Sequence, residues 1–342
     1  MTLINFDGFD QGLNSGSAWN DDYWDNMGSQ SLSNSVTRFG TGFSLAMPNG
    51  TELFKTIGFN VSEIITGLAP YATASGGATT APFFTFYDGA TAQCTICGET
   101  NGDVTLRRGS YTGTIVATIA SKFFRDAPMD GFGFRVKFSA TVGEFQVWKN
   151  GASILNVSGL NSISTANAYC TKYSVGPSTH FSTFADDVFA LAVDATAPNT
   201  FPGDTRVYSL LPDGAGASTQ WTPNTGSNFS NVGRASGTED SNYNSDSTPG
   251  HLDEYTLGNL PGGFLGTVLA FQANGRARKD DAGLRQYAIR MNSGGTTQDC
   301  ATQTLGGSYA THREHFVKDW NGNVDWTATA INALKLGPLE VA

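Results

Sequence analysis

The chain has 342 residues, more than one sandwich usually needs, which sets a two-domain prior. Glycine is abundant at 41 residues, charged residues reach only 15% and aromatics supply 12%, a balance that favours turn-rich, half-buried strands over helices. A net charge of −10 excludes nucleic-acid binding through a general basic field.

The opening MTLINFDGFDQG carries acidic residues where a secretion signal needs a basic start and an apolar core. No run approaches the roughly 18 apolar residues of a membrane helix, so the expectation is no secretion or anchoring signal. INFDGF reads as a first strand, followed by a polar loop that carries Trp19, Tyr23 and Trp24 among Asn20, Asp21, Asp22, Asp25 and Asn26. SVTRFGTGFSLAM, FFTFYDG, VTLRRG, GTIVATIA, FGFRVKFSA, EFQVWKNG and ASILNVSG follow as short strands with frequent turns, the pattern of a two-sheet antiparallel sandwich. In one of them Phe132, Phe134, Val136 and Phe138 share a face, with Gly133, Arg135 and Lys137 on the other, as a half-buried strand requires. GEFQVWKNGASILNVSGLN is a hairpin around Asn150-Gly151, since both central residues of a type I′ turn need positive φ. FADDVFALAVD then closes the first half, opening on Asp186-Asp187.

Residues 1–195 are thus expected to form one sandwich, with a linker at 196–203 inside the Pro-containing DATAPNTFPGD, and 204–342 a second sandwich. DTRVYSLLPDG restarts the alternation, and Gly233–Pro249 reads as loop. GTVLAFQANGRARKDDAGLRQYAIRM reads as two strands joined by Lys279–Gly283; TQDCATQTLGG and YATHREHFVKDW continue the β pattern. TATAINALKLG reads as the one helix, ending at Gly337 as a C′ glycine, before a closing strand PLEVA. The fold class is all-β: two antiparallel jelly-roll sandwiches and one short C-terminal helix.

A hairpin of the form x-V-x-W-x-N-G followed by an x-D-D-V closing strand resembles the laminin-G/concanavalin-A-like jelly-roll family over residues 1–195. That resemblance implies a hairpin that presents its Asn-Gly turn to a ligand, with Trp148 and Asn150 as candidates, and a calcium ion at the sandwich rim near Asp186 or Asp187. The run GDTRVYSLLPDG, the QWTP that follows it, an ARKDDAG hairpin and the final WTATAINAL resemble a C-terminal module of tailed-bacteriophage structural proteins. It implies a setting in a virion, assembled in the host cytoplasm.

Catalytic chemistry is mostly missing. No Glu-x-Asp-x-x-Glu strand offers the paired carboxylates of a sandwich glucanase, and there is no Gly-x-Ser-x-Gly elbow or phosphate loop. His312-Arg313-Glu314-His315 has its histidines three apart in a strand, hence on opposite faces, where a zincin needs four on a helix. Four scattered cysteines make no disulfide framework, and Cys94-x-x-Cys97 lacks a second pair for zinc. Asp186 and Asp187 read as opposite-facing, so that at most one ligates calcium; capping of the turn is the simpler role. Trp19, Tyr23 and Trp24 leave three roles open: stacking on a sugar, an inter-subunit contact or core packing.

The expectation is therefore a non-enzymatic phage virion protein on the particle exterior, a head decoration or tail component. Its partners are other virion proteins and further copies of itself, with no nucleic acid, no membrane insertion and no cofactor beyond calcium. The alternative is a carbohydrate-binding module for host attachment.

Overall fold

The computed structural model describes residues 2–9, 24–25, 30–39, 42–48, 50, 52–73, 80–120, 129–176, 182–193, 201–232 and 240–342. The chain is all-β and divides into two compact units that change over between Val207 and Tyr208. The changeover lies beyond the 196–203 linker expected from the sequence: Phe201–Val207 pack with the first unit.

The first unit runs through β1 (Thr2–Asp7), β2 (Ser31–Ser33), β3 (Ser44–Met47), β4 (Leu53–Val61), β5 (Glu63–Thr73), β6 (Thr80–Asp88) and β7 (Thr91–Glu99). It continues with β8 (Val104–Arg108), β9 (Thr114–Ile119), β10 (Phe132–Lys137), β11 (Gly143–Lys149), β12 (Ala152–Leu160), β13 (Cys170–Val175) and β14 (Ser182–Ala192). Among the described residues these make two antiparallel sheets. One has the order β12-β11-β10-β5-β14-β3-β2 with β1 also on β14; the other has the order β4-β13-β6-β7-β8-β9. The alternation of β10 places its aromatics between them: Phe134 meets Phe84 of the second sheet at 6.1 Å, and Phe138 meets Phe86 at 5.7 Å. Each such ring, fully buried, contributes roughly 2–3 kcal/mol. What alternation does not mark is Ser35–Phe39, which is loop; among the described residues of SVTRFGTGFSLAM, Ser44–Met47 is the strand.

The second unit contains β15 (Pro212–Thr219), β16 (Thr222–Pro223), α1 (Asn228–Val232), β17 (Asn244–Ser245), β18 (Asp253–Leu257) and β19 (Phe271–Ala277). It ends with β20 (Gln286–Ser293), β21 (Thr296–Asp299), β22 (Gln303–Thr304), β23 (Ala310–Phe316), α2 (Ala328–Ala333) and β24 (Lys335–Glu340). A sheet β15-β18-β24-β20-β21, with β22 on β20, faces the two-stranded ribbon β19-β23. Their shared core holds Ala273, Tyr287, Ile289, Met291 and Cys300.

Two sequence expectations are corrected here. The strands flanking Lys279–Gly283 do not form a hairpin: β19 pairs with β23, and β20 pairs with β24, β21 and β22. Gly275 of β19 lies face-on to β20, where a Cβ would stand 2.9 Å from Ile289 Cδ1 and Tyr287 Oη, so the loop carries the chain between layers. The helix is also shorter than expected. Thr327 caps it, its hydroxyl accepting from Ala330 N, and it ends at Ala333. Gly337 is a strand residue of β24, needed because a Cβ there would collide with the Asp253 carbonyl of β18.

Candidate functional site

The hairpin β11–β12 closes through a two-residue turn, with Lys149 paired to Ala152 and Asn150 and Gly151 at φ of 48° and 82°, the positive values a type I′ turn needs. Asn150 is committed to this turn. Its Oδ1 accepts from Gly131 N at 2.9 Å, its Nδ2 donates to Asp130 Oδ1 at 2.7 Å, and its backbone N–H donates to Gly131 O at 2.7 Å. Lys149 Nζ also reaches Asp130 Oδ2 at 2.7 Å. Burial alone would raise the Asp130 carboxyl, but Lys149 and Asn150 hold it below its ordinary value. Asn150 thus shapes the turn with both ends of its amide while the residue itself stays exposed.

Trp148 is different. Because Phe132, Phe134 and Val136 point into the core, the register of β5, β10, β11 and β12 places three cross-strand rows on the opposite face. The first row is Glu63, Lys137, Glu144 and Ser158; the second contains Arg135, Gln146 and Asn156; the third is Gly67, Gly133, Trp148 and Ser153. From the Trp148 row to the Glu144 row the face extends about 14 Å, at about 3.4 Å per strand residue. Ser153, Asn156 and Ser158 are exposed, while Arg135, Gln146 and Trp148 are half-buried. Its charges are matched internally: Arg135 Nε bonds Glu63 Oε1, and Lys137 Nζ lies 3.5 Å from Glu144 Oε1. What is left is a charge-balanced surface of amides and hydroxyls with one indole at its end.

Beside Trp148, the ring of Phe201 stacks at 4.7 Å and 14°. It occupies the space over Gly133, where a Cβ would run into it, and Phe189 of β14 likewise covers Gly67. Phe201 belongs to a strap, residues 201–207, tied down by Arg38. The guanidinium bonds Asp204, Thr205 O (2.9 Å) and Asp187 Oδ2 (2.8 Å), while Val207 N donates to Asp187 Oδ1 (2.8 Å).

This changes the reading of the aspartate pair. A bulge between Asp186 and Phe189, with Asp187 at φ 51°, breaks the alternation that would set the two carboxylates on opposite faces. Both serve Arg38: Asp186 Oδ2 accepts its backbone N–H at 3.2 Å, and Asp187 takes its guanidinium. Burial works against the Arg38 charge, but Asp187 and Asp204 outweigh it and raise the guanidinium further. The calcium site implied by the resemblance is thus filled by a guanidinium, and among the described residues no group of three or more His, Cys, Asp or Glu could hold a metal ion.

Trp24 is a core residue, 2% exposed, with Nε1 donating to Asp7 Oδ2 at 3.1 Å and its ring edge-on to Tyr173; Trp19 and Tyr23 lie outside the described residues. His312 and His315 alternate along β23, and His312 packs edge-on against Tyr287 at 5.7 Å. All four cysteines are free thiols and buried. Of the sequence-chosen candidates among the described residues, Trp148 alone stands on the open face; Arg135, Gln146 and Asn156 join it there through the same period of two. Phe201 had no local signal.

No family model matches the chain, and no curated protein matches it. Solved structures similar to it include the cellulose-induced protein Cip1 (13% identity, TM-score 0.40, covering 55% of this chain and 97% of that one). Two others are the carbohydrate binding module CBM66 from Bacillus subtilis (7%, TM-score 0.31, 52% and 98%) and domain 4 of AbnA, an extracellular arabinanase from Geobacillus stearothermophilus (14%, TM-score 0.35, 56% and 92%). Each likeness is confined to about half of this chain.

Proposed function

We propose that the chain is a non-enzymatic carbohydrate-binding protein whose first unit holds a neutral oligosaccharide across the outer face of β10–β12. The observation that supports this is the three-row face: Trp148 offers a ring for stacking, and Gln146, Asn156, Ser153 and Ser158 offer hydrogen-bonding groups to hydroxyls. Pairing of Arg135 with Glu63 and of Lys137 with Glu144 favours an uncharged ligand, because no cation is left over for a carboxylate or sulfate. The same pairing speaks against glycoside hydrolysis. The proton donor of a glycosidase needs surroundings that disfavour its charge, and both carboxylates on this face have adjacent cations. Titration with a panel of neutral and acidic oligosaccharides tests the reading. Binding of a neutral member, weakened at least tenfold by Trp148→Ala in a chain that still unfolds in one cooperative transition, is expected. An acidic preference, or equal binding by Trp148→Ala, overturns it.

A second reading, an assembly component such as the exterior protein of a phage virion, is supported by the second unit. Leu265 is 99% exposed in a loop that also carries exposed Leu269, and Leu284 is 62% exposed, apolar side chains whose burial against a partner would be favourable. Sedimentation of Leu265→Ser against the parent chain tests it: a self-association lost in the variant supports this reading, and two identical monomeric profiles count against it.

A further inference from the structure

The aromatic row beside the open face is built across four strands and a strap distant in sequence. Gly133 is the direct cross-strand partner of Trp148, and Gly67 is the partner of both Gly133 and Phe189, so two adjacent strands leave a floor without side chains. Phe189 covers one end of that floor and Phe201 the other, their centroids 6.3 Å apart. An indole beside an empty trough would have room to tilt into it, and a tilted indole presents a different face and height to a ligand. With Phe201 at 4.7 Å and nearly parallel, that movement is blocked.

We propose that Phe201 is a positioning residue of the carbohydrate site, holding the Trp148 indole in one orientation. The strap Phe201–Val207 then completes a site that strands β10–β12 begin. This rests on the carbohydrate reading above. Because Phe201 lies over β10, the indole face left for a ligand is the one toward β12, where Ser153 and Asn156 stand. The strap is not a removable plug. Asp204, Thr205 and Val207 tie it to Arg38 and Asp187, whose side chains are 3% and 4% exposed, and Val207 packs against Gly8, where a Cβ would stand 2.9 Å from the valine Cβ. Releasing it would strip a buried ion pair of its partners.

The test uses the full chain with Phe201→Ala, Phe201→Leu and Phe201→Tyr. Two signals are read: affinity for the neutral oligosaccharide that binds in a Trp148-dependent way, and the Trp148 indole N–H resonance, assigned through Trp148→Phe. The expected result is at least a tenfold loss of affinity and a displaced indole resonance in the Ala and Leu variants, both restored by Phe201→Tyr, with melting temperatures that still report a folded chain. Unchanged affinity and resonance in Phe201→Leu overturn the proposal. A gain of affinity in Phe201→Ala also overturns it and makes Phe201 a plug. If the parent chain binds no neutral oligosaccharide, the carbohydrate reading fails by itself. The resonance then still decides whether Phe201 orients Trp148.

Discussion

The guanidinium of Arg38 lies 2.8 Å from Asp187 Oδ2, across 149 residues of sequence, with both side chains almost wholly buried. This pair joins the loop after β2 to the bulge in β14 and, through Asp204 and Thr205, to the strap. Arg38→Met is expected to destabilise the first unit by about 3–5 kcal/mol, because it leaves a buried carboxylate uncompensated. Denaturant unfolding, followed by a probe in the first unit, checks it.

Calcium at millimolar concentration is expected to leave the melting temperature unchanged. A ligand that binds only the folded state must raise stability by mass action, and the Asp186–Asp187 carboxylates are already bonded to Arg38, to Val207 N and to Asp187 N. A clear rise, lost in Asp187→Asn, would return the pair to the metal reading.

Gly151→Ala is expected to cost about 1–2 kcal/mol, the penalty of placing an L side chain in left-handed backbone. Space is not the obstacle, since a Cβ there would meet Asp204 N at 3.5 Å, ordinary contact. Asn150→Gly, which keeps the turn geometry and the backbone bond to Gly131 O but removes the side-chain bonds to Asp130 and to Gly131 N, separates the two contributions in an equilibrium unfolding series.

The Asp130 latch gives a pH dependence with a fixed sign. A carboxyl lowered in the folded state stabilises above its unfolded value, near 3.9, and loses that stabilisation as pH falls through the folded value. Between pH 7 and 5 the Asn150 and Gly151 amide resonances should be constant; they should move only below about pH 4. Movement near neutrality would contradict the assignment.

The cysteines should resist alkylation until the chain unfolds. Burial pushes the thiols of Cys94, Cys97 and Cys170 up, and that of Cys300 up to about 12, while the thiolate is the reactive form. Mass spectrometry after native and denaturing treatment reads this directly, and rapid native modification of Cys97 would count against it.

The residues of β10 and of the β11–β12 hairpin determine by themselves what those elements become. A period of two assigns Phe132, Phe134 and Val136 to the core and Arg135 to the outside, and Asn150-Gly151 can close only a tight turn. The burial of Trp24, the bulge that turns both aspartates toward Arg38, and the placement of Phe201 over Gly133 were decided by tertiary structure. None of these leaves a periodic trace. A bulge adds one residue to a pattern that otherwise alternates, and an aromatic in a Pro-containing stretch reads the same whether it links two units or packs on one. Gly337 shows the same division: its sequence context suits a helix end, but only the neighbouring Asp253 carbonyl, brought within contact by β18–β24 pairing, explains why no side chain can stand there. Local periodicity reports which way a side chain faces. What it faces depends on contacts that span the whole unit.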